Sequence, residues 1–281
     1  MRPLVVVAAA VAIATFSFAG TAAKAGYVIE QEAITPNPVT FQPVKATVRS
    51  WHEGKRFKRE NPLRNEVVII DLDKREVVGL NATNRTYWRL PAERYRQLAL
   101  VSLVVLGVSP RPDGTLDVPD PLFVPTGVRA TVEGRDAYQV KVQGKLPAGV
   151  ETELWLSESV PLTTETLVDE LRLALGDPKD PSFQHFFAQW RALKGYPVQS
   201  VTTVNTARGR VVSSETLLSI REQKIDPSVF AVPPGFTLTE DPIAMMERLA
   251  AEQRAPAGIG APLKSRPPAS SPATPPGARS P

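Results

Sequence analysis

Alternation of apolar and polar side chains, repeated from Gly26 to about Glu240, limits this polypeptide more than any other feature. Successive side chains of an extended strand point to opposite faces, so the pattern describes strands with one dry and one wet face. Tyr138, Val140 and Val142 against Gln139, Lys141 and Gln143 form the clearest run. Val44, Ala46 and Val48 against Lys45, Thr47 and Arg49 repeat it, as do Val150, Leu154 and Leu156 against Glu151 and Glu153. Parallel strands are usually apolar on both faces, so these strands belong to an antiparallel sheet. Short turn sequences join them: Glu53-Gly54, Asp73-Lys74, Ala82-Thr83-Asn84, Glu133-Gly134 and Arg208-Gly209. The strands are expected near 26–34, 43–51, 54–60, 66–72, 75–81, 84–89, 127–133, 136–144, 149–157, 196–206 and 209–222. About eleven short antiparallel strands are too many for a flat open sheet, so strong curvature or closure is expected in a mainly β (α+β) fold.

Three helical stretches interrupt the meander. Residues 92–106 follow Pro91 and become apolar nearly all round, which suits a helix buried in a cavity or under a lid. Residues 164–175 start at a Thr163 or Thr164 cap and space Leu167, Val168, Leu171 and Leu175 helically. Residues 182–193 follow Asp180-Pro181 and align Phe183, Phe186, Phe187, Trp190 and Leu193 on one stripe. A last amphipathic segment runs from Pro242 to Arg254.

The two ends read differently from the middle. Arg2, the uncharged apolar run Leu4 to Phe18 and the small-x-small sequence Ala23-Lys24-Ala25 describe a cleaved signal peptide over residues 1–25. That run is about 15 residues, shorter than the ~20 that span a bilayer. No later segment is long enough to span either; Leu98 to Val108 comes nearest. A soluble protein outside the cytoplasm is therefore expected. Residues 255–281 hold eight prolines, three basic residues and no acids, the composition of a disordered Pro-rich tail. The folded domain is expected over 26–254.

Composition removes most chemistry. The chain has no cysteine and only two histidines, His52 and His185, which excludes disulfides, thiolate metal sites and cysteine nucleophiles. His52 is expected at an exposed turn, and His185 on the solvated side of its helix. There is no Gly-x-Ser-x-Gly, no phosphate-cradling glycine loop and no dinucleotide fingerprint. Asp71-Leu72-Asp73 fits a solvated hairpin turn better than a metal site. The sequons at Asn81 and Asn84 are expected to stay unmodified. With the leader's Arg2 and Lys24 removed, 31 basic side chains face 29 acidic ones, a balance that does not suggest nucleic acid. No enzymatic activity, cofactor or metal is expected.

Aromatic residues remain: Trp51, Phe57, Tyr87, Trp88 and Trp155 at strand ends, and Phe186, Phe187 and Trp190 on the helix stripe. They are either plain core or, under a curved sheet and greasy helices, the lining of a ligand cavity. The order Gly26-Tyr27-Val28-Ile29-Glu30, Arg56-Phe57-Lys58-Arg59-Glu60, Val68-Ile69-Ile70-Asp71-Leu72-Asp73-Lys74-Arg75 and Leu80-Asn81-x-x-Asn84-Arg85-Thr86-Tyr87-Trp88 resembles the periplasmic LolA/LolB-like superfamily of lipoprotein carriers. It is closer still to an uncharacterised branch, a bacterial domain of unknown function. Gly195-Tyr196-Pro197-Val198 and the closing Asp226-Pro227-Ser228-Val229-Phe230-x-Val232-Pro233-Pro234-Gly235-Phe236 fit the same resemblance, which covers roughly 26–240.

The resemblance implies an unclosed, strongly curved half-barrel of about eleven antiparallel strands with helices plugging its concave face. It also implies a non-enzymatic carrier whose concave cavity holds a lipid, a lipoprotein acyl chain or another apolar ligand. On that reading the binding candidates are Trp51 and Trp88 in the sheet, Leu98, Val101 and Val105 in the first helix, and Phe186 and Trp190 in the third. The alternative is a structural or regulatory module of the cell envelope, with a self-filled core and a protein partner on its outer surface or tail.

Overall fold

A computed structural model describes residues 26–37, 40–143, 146, 149–175, 179–206 and 209–254. The signal peptide expected over 1–25 and the tail expected over 255–281 lie outside the described residues. All eleven expected runs are strands: β1 (Gly26–Pro36), β2 (Pro43–Glu53), β3 (Arg56–Asn61), β4 (Glu66–Asp71), β5 (Glu76–Asn81), β6 (Thr86–Pro91), β9 (Phe123–Val132), β10 (Arg135–Val142), β11 (Val150–Ser157), β12 (Tyr196–Thr206) and β13 (Gly209–Gln223). Three more are only two residues long: β7 (Ser109–Pro110), β8 (Leu116–Asp117) and β14 (Thr237–Leu238). The helices are α1 (Ala92–Ser102), which tightens into a 3₁₀ turn over Leu103–Leu106, α2 (Thr164–Ala174), α3 (Pro181–Arg191) and α4 (Pro242–Arg254).

Three consecutive hairpins share one design. Asn61, Asp71 and Asn81 stand ten residues apart, and each accepts a backbone N–H of its loop on its side-chain oxygen, from Leu63 (3.1 Å), Lys74 (3.1 Å) and Thr83 (3.0 Å). The last loop residue of each, Asn65, Arg75 and Arg85, is left-handed at φ 52°, 53° and 51°. An Asx turn followed by one left-handed residue reverses the chain in four residues, so β3 to β6 zip in register without glycine. The Asp71-Leu72-Asp73 segment is the middle of these turns, with Lys74 and Lys55 on its carboxylates at 2.9 Å each.

The strands form one sheet of twelve in the order β14-β6-β5-β4-β3-β2-β1-β13-β12-β11-β10-β9, antiparallel except for β14 beside β6. Its ends are β14 and β9, so it is unclosed. It is also strongly curved. Val132 of β9 and Ala137 of β10 share an apolar cluster with Ile29 of β1 and Leu217 of β13. The Arg135 guanidinium at the β9–β10 hairpin donates to the Leu217 and Leu218 carbonyls at 3.1 and 3.0 Å, although β11 and β12 stand between.

Helices α2 and α3 cover the concave side over β9 to β11. Leu154, Leu156, Val140 and Phe123 of the sheet meet Leu167 and Val168 of α2 and Phe183, Phe186, Phe187 and Trp190 of α3 in the largest core cluster. Asp180 caps α3 by accepting from the Ser182 amide at 2.8 Å, with Pro181 at the first helical position, where no donor is needed. Gln189 of α3 accepts from the Leu122 amide at 2.6 Å and donates to the Pro119 carbonyl at 2.7 Å. Thr164, at the start of α2, donates to the Leu193 carbonyl at 2.8 Å. Two compact units divide at Asp241/Pro242, and in the second α4 carries an Arg248–Glu252 ion pair at 2.9 Å along its own surface. Among the described residues no helix is long and apolar enough to cross a membrane.

Gly195 shows how tightly the α3–β12 connection is drawn. It sits at φ 79°, and a Cβ there would lie 2.4 Å from the Ser157 carbonyl oxygen. Gly195→Ala is expected to lose at least about 1–3 kcal/mol of unfolding free energy, since a left-handed non-glycine residue alone costs that much and rigid backbone cannot yield. Urea unfolding followed by circular dichroism would read it, and an unchanged midpoint would show that the connection is looser than drawn.

Candidate functional site

Strand register decides which side chains share the concave face. Ser50, Arg59, Val68, Gly79 and Trp88 are successive partners across β2 to β6, and therefore stand in one row on one face. Phe57, Ile70 and Val77 lie beside that row and pack with Val68, Leu72, Trp88 and Tyr95 of α1. Gly79 makes room for Trp88, because a Cβ there would come within 2.1 Å of the indole. The other face of the same strands is apolar as well. Ile69, Val78 and Leu80 pack there with Phe230, Val232 and Phe236, and the Arg56 guanidinium lies 4.9 Å from the Phe230 ring. Two covered faces explain why β4 and β5 read as near-continuous apolar runs rather than alternating ones.

The concave face of these strands also carries a buried polar pair. Arg59 and Glu215 are 6% and 7% exposed and form an ion pair from β3 to β13, across β2 and β1. The Arg59 guanidinium donates to both Glu215 oxygens at 2.8 and 2.9 Å and to Gln31 Oε1 at 3.1 Å. Its Nε is buried without a hydrogen-bond partner. The Tyr95 hydroxyl is pushed up to about 12, first by burial, then by the Glu66 charge, with the Arg59 charge opposing.

His52 corrects the expectation of an exposed turn. It is a buried residue of β2, registered between Tyr27 and Phe57, and its ring meets that of Phe57 edge-on with centroids 4.9 Å apart. Burial, assisted by the Arg59 charge, lowers its pKa to about 3, so it is uncharged at neutral pH. His52 adjoins the Glu53-Gly54 turn in sequence, yet by register it shares the concave face with Ser50 and Phe57. His185 is half-exposed on α3, with its Nε2 3.0 Å from Gln189 Nε2 and 3.7 Å from an Asp120 oxygen. Among the described residues no three His, Asp or Glu side chains are placed to hold a metal ion.

The seven residues singled out from the sequence fall into three places. Trp88 is half-buried in the sheet cluster that Tyr95 of α1 joins, and Leu98 is half-buried one helical turn beyond Tyr95. Val101 and Val105 continue along α1 and its 3₁₀ turn, but their side chains lie outside the described residues. Phe186 and Trp190 are 0% exposed in the closed core under α3, where the Trp190 ring lies 4.4 Å from that of Phe123. Trp51 has the opposite parity to His52 and stands on the other face of the sheet from Trp88, with Lys58 Nζ and the Arg49 guanidinium 5.1 and 5.8 Å from its ring. Arg59 and Glu215 were missed because a charged residue on an alternating strand reads as solvated. The signal available was Arg59 sharing the parity of Phe57.

No protein-family model matches the chain, and no curated protein does. Similar solved structures include PNGF-II, 11% identical over 82% of this chain and 33% of that one, with a TM-score of 0.37. This chain thus spans about a third of the length of the PNGF-II chain. They also include a putative outer membrane lipoprotein-sorting protein domain from Vibrio parahaemolyticus, 8% identical over 73% of this chain and 89% of that one, at a TM-score of 0.28. A DUF1329 family protein from Desulfovibrio piger is 8% identical over 74% and 90%, at 0.23.

Proposed function

We propose that this chain is an exported, non-enzymatic binding protein of the bacterial periplasm that holds a lipid, a lipoprotein acyl chain or another long apolar ligand in the trough beneath α1. The observation that carries this reading is an asymmetry in the concave side. Under α3 Phe183, Phe186, Phe187 and Trp190 are sealed, whereas Trp88 of the sheet and Tyr95 and Leu98 of α1 are only half-buried. Half-buried apolar side chains on both the helix and the sheet below it are what an apolar ligand would finish covering. Each methylene so buried contributes about 0.8 kcal/mol before the costs of association. Phe186 and Trp190 would form the closed end wall of the trough. Trp51, on the opposite face, would take no part. Export is supported by the apolar Leu4 to Phe18 run ahead of Ala23-Lys24-Ala25.

Protein taken from its native periplasm and weighed by native mass spectrometry should carry a stoichiometric adduct of lipid mass. The stripped protein should bind a fluorescent fatty acid, with Trp88→Ala and Leu98→Ala each weakening it about 5- to 30-fold, the 1–2 kcal/mol of a partly lost apolar contact. Far-UV circular dichroism should stay native in both. A clean apo mass together with no uptake of the probe would overturn this reading.

The sealed α3 core favours a second reading, a cell-envelope interaction module whose trough is filled by its own side chains and whose ligand is another protein. It predicts no lipid adduct and a protein partner recovered by crosslinking.

A further inference from the structure

We infer that Arg59 is the polar anchor of the trough and donates its Nε–H to the acyl oxygen at the head of a long-chain ligand, as a free carboxylate or an ester carbonyl. The inference rests on the binding role proposed above and names the chemistry that the same site would read. Four of the five N–H donors of a guanidinium sit on its two terminal nitrogens, and here those nitrogens meet Glu215 and Gln31. The remaining donor, on Nε, is buried and without a partner on a residue only 6% exposed. A buried charged group with an idle donor is rare in a folded protein and calls for an acceptor. Stability does not account for the pair itself, since apolar residues of similar size often replace a buried ion pair without loss.

The surroundings select the acceptor. Arg59 starts the row Arg59, Val68, Gly79, Trp88, three inter-strand steps or about 14 Å long, and that row is apolar beyond its first member. A ligand laid along it toward Trp88 is a hydrocarbon chain with its polar end at Arg59. Glu215 already neutralises the guanidinium, so the site has a hydrogen bond to offer and little net positive charge. A phosphate dianion would meet the Glu215 carboxylate, whereas one acyl oxygen needs only the Nε donor.

The test uses the full mature chain loaded with the apolar dye N-phenyl-1-naphthylamine, displaced by palmitate, methyl palmitate or hexadecane. Palmitate, methyl palmitate or both should compete at least about tenfold better than hexadecane, a difference of about 1.4 kcal/mol. Arg59→Met/Glu215→Met, which removes both charges together, should still bind the dye and lose that preference. Arg59→Lys, which keeps the charge opposite Glu215 but has no Nε–H, should lose it as well and covers the case in which the double variant fails to fold. A free carboxylate as the natural head shows as palmitate ahead of methyl palmitate, and an esterified acyl chain as the reverse or equality. Equal competition by all three in the wild-type protein, or a preference that survives in the folded variants, overturns the anchor while leaving the binding role standing. No dye binding by the wild-type protein overturns both.

Discussion

Trp190→Ala is expected to remove about 3–5 kcal/mol of unfolding free energy. Trp190 is fully enclosed among Phe123, Phe186 and the rest of the α3 core, so deleting its indole leaves a cavity that the rigid sheet below closes only in part. Trp190→Phe is the informative partner. The indole Nε1 is buried without an acceptor, and phenylalanine removes that idle donor while keeping most of the ring. It should therefore cost well under half as much. Urea unfolding of both variants decides the matter. Equal losses would mean that the N–H has an acceptor after all, and a small loss for alanine would mean that the α3 end of the trough collapses easily or holds solvent.

Acid should unfold the protein through His52. Its pKa is about 3 in the folded chain against an ordinary value of 6.5, so the unfolded chain takes up a proton that the folded one refuses. The stability this represents is fully present above pH 6.5 and is lost as pH falls from there toward 3, at about 1.4 kcal/mol per pH unit. Between pH 6.5 and 5, where most carboxylates are still ionised, about 2 kcal/mol should disappear. His52→Gln should be less stable at neutral pH but flatter over that window. A variant that weakens as steeply as the wild-type protein between pH 6.5 and 5 would show that the proton uptake belongs elsewhere.

Much of the fold is written in short-range pattern. Tyr138, Val140 and Val142 turn inward and Lys141 and Gln143 outward because a strand's period of two needs no knowledge of its neighbours. The helices at 164–174 and 181–191 follow from their apolar stripes in the same way, and the second from its Asp180 cap as well. The Asx turns at Asn61, Asp71 and Asn81 are legible too, at a ten-residue interval visible once the strand length is known. The two-residue β14 and the ribbon of β7 and β8 have no such signature, because runs that short show no period.

Periodicity says which side chains share a face, but not which face lies inside or what comes to meet it. That is why His52, beside a turn in the sequence, is buried, and why Trp51 and Trp88 are on opposite sides of one sheet. Val44 belongs by parity with Val48, yet it is 39% exposed near the start of β2 while Val48 is fully covered, since the core reaches only part of the strand's length.

What the sequence determined by itself was the inventory: eleven strands joined mostly by tight turns, three helices set among them, and the absence of cysteine chemistry. Only the tertiary structure brought the residues of the proposed site together. Arg59 and Glu215 are 156 residues apart and meet because β13 returns to lie beside β1 and the sheet curls. No local pattern encodes that meeting, since the strand order and the curvature are properties of all twelve strands packed together.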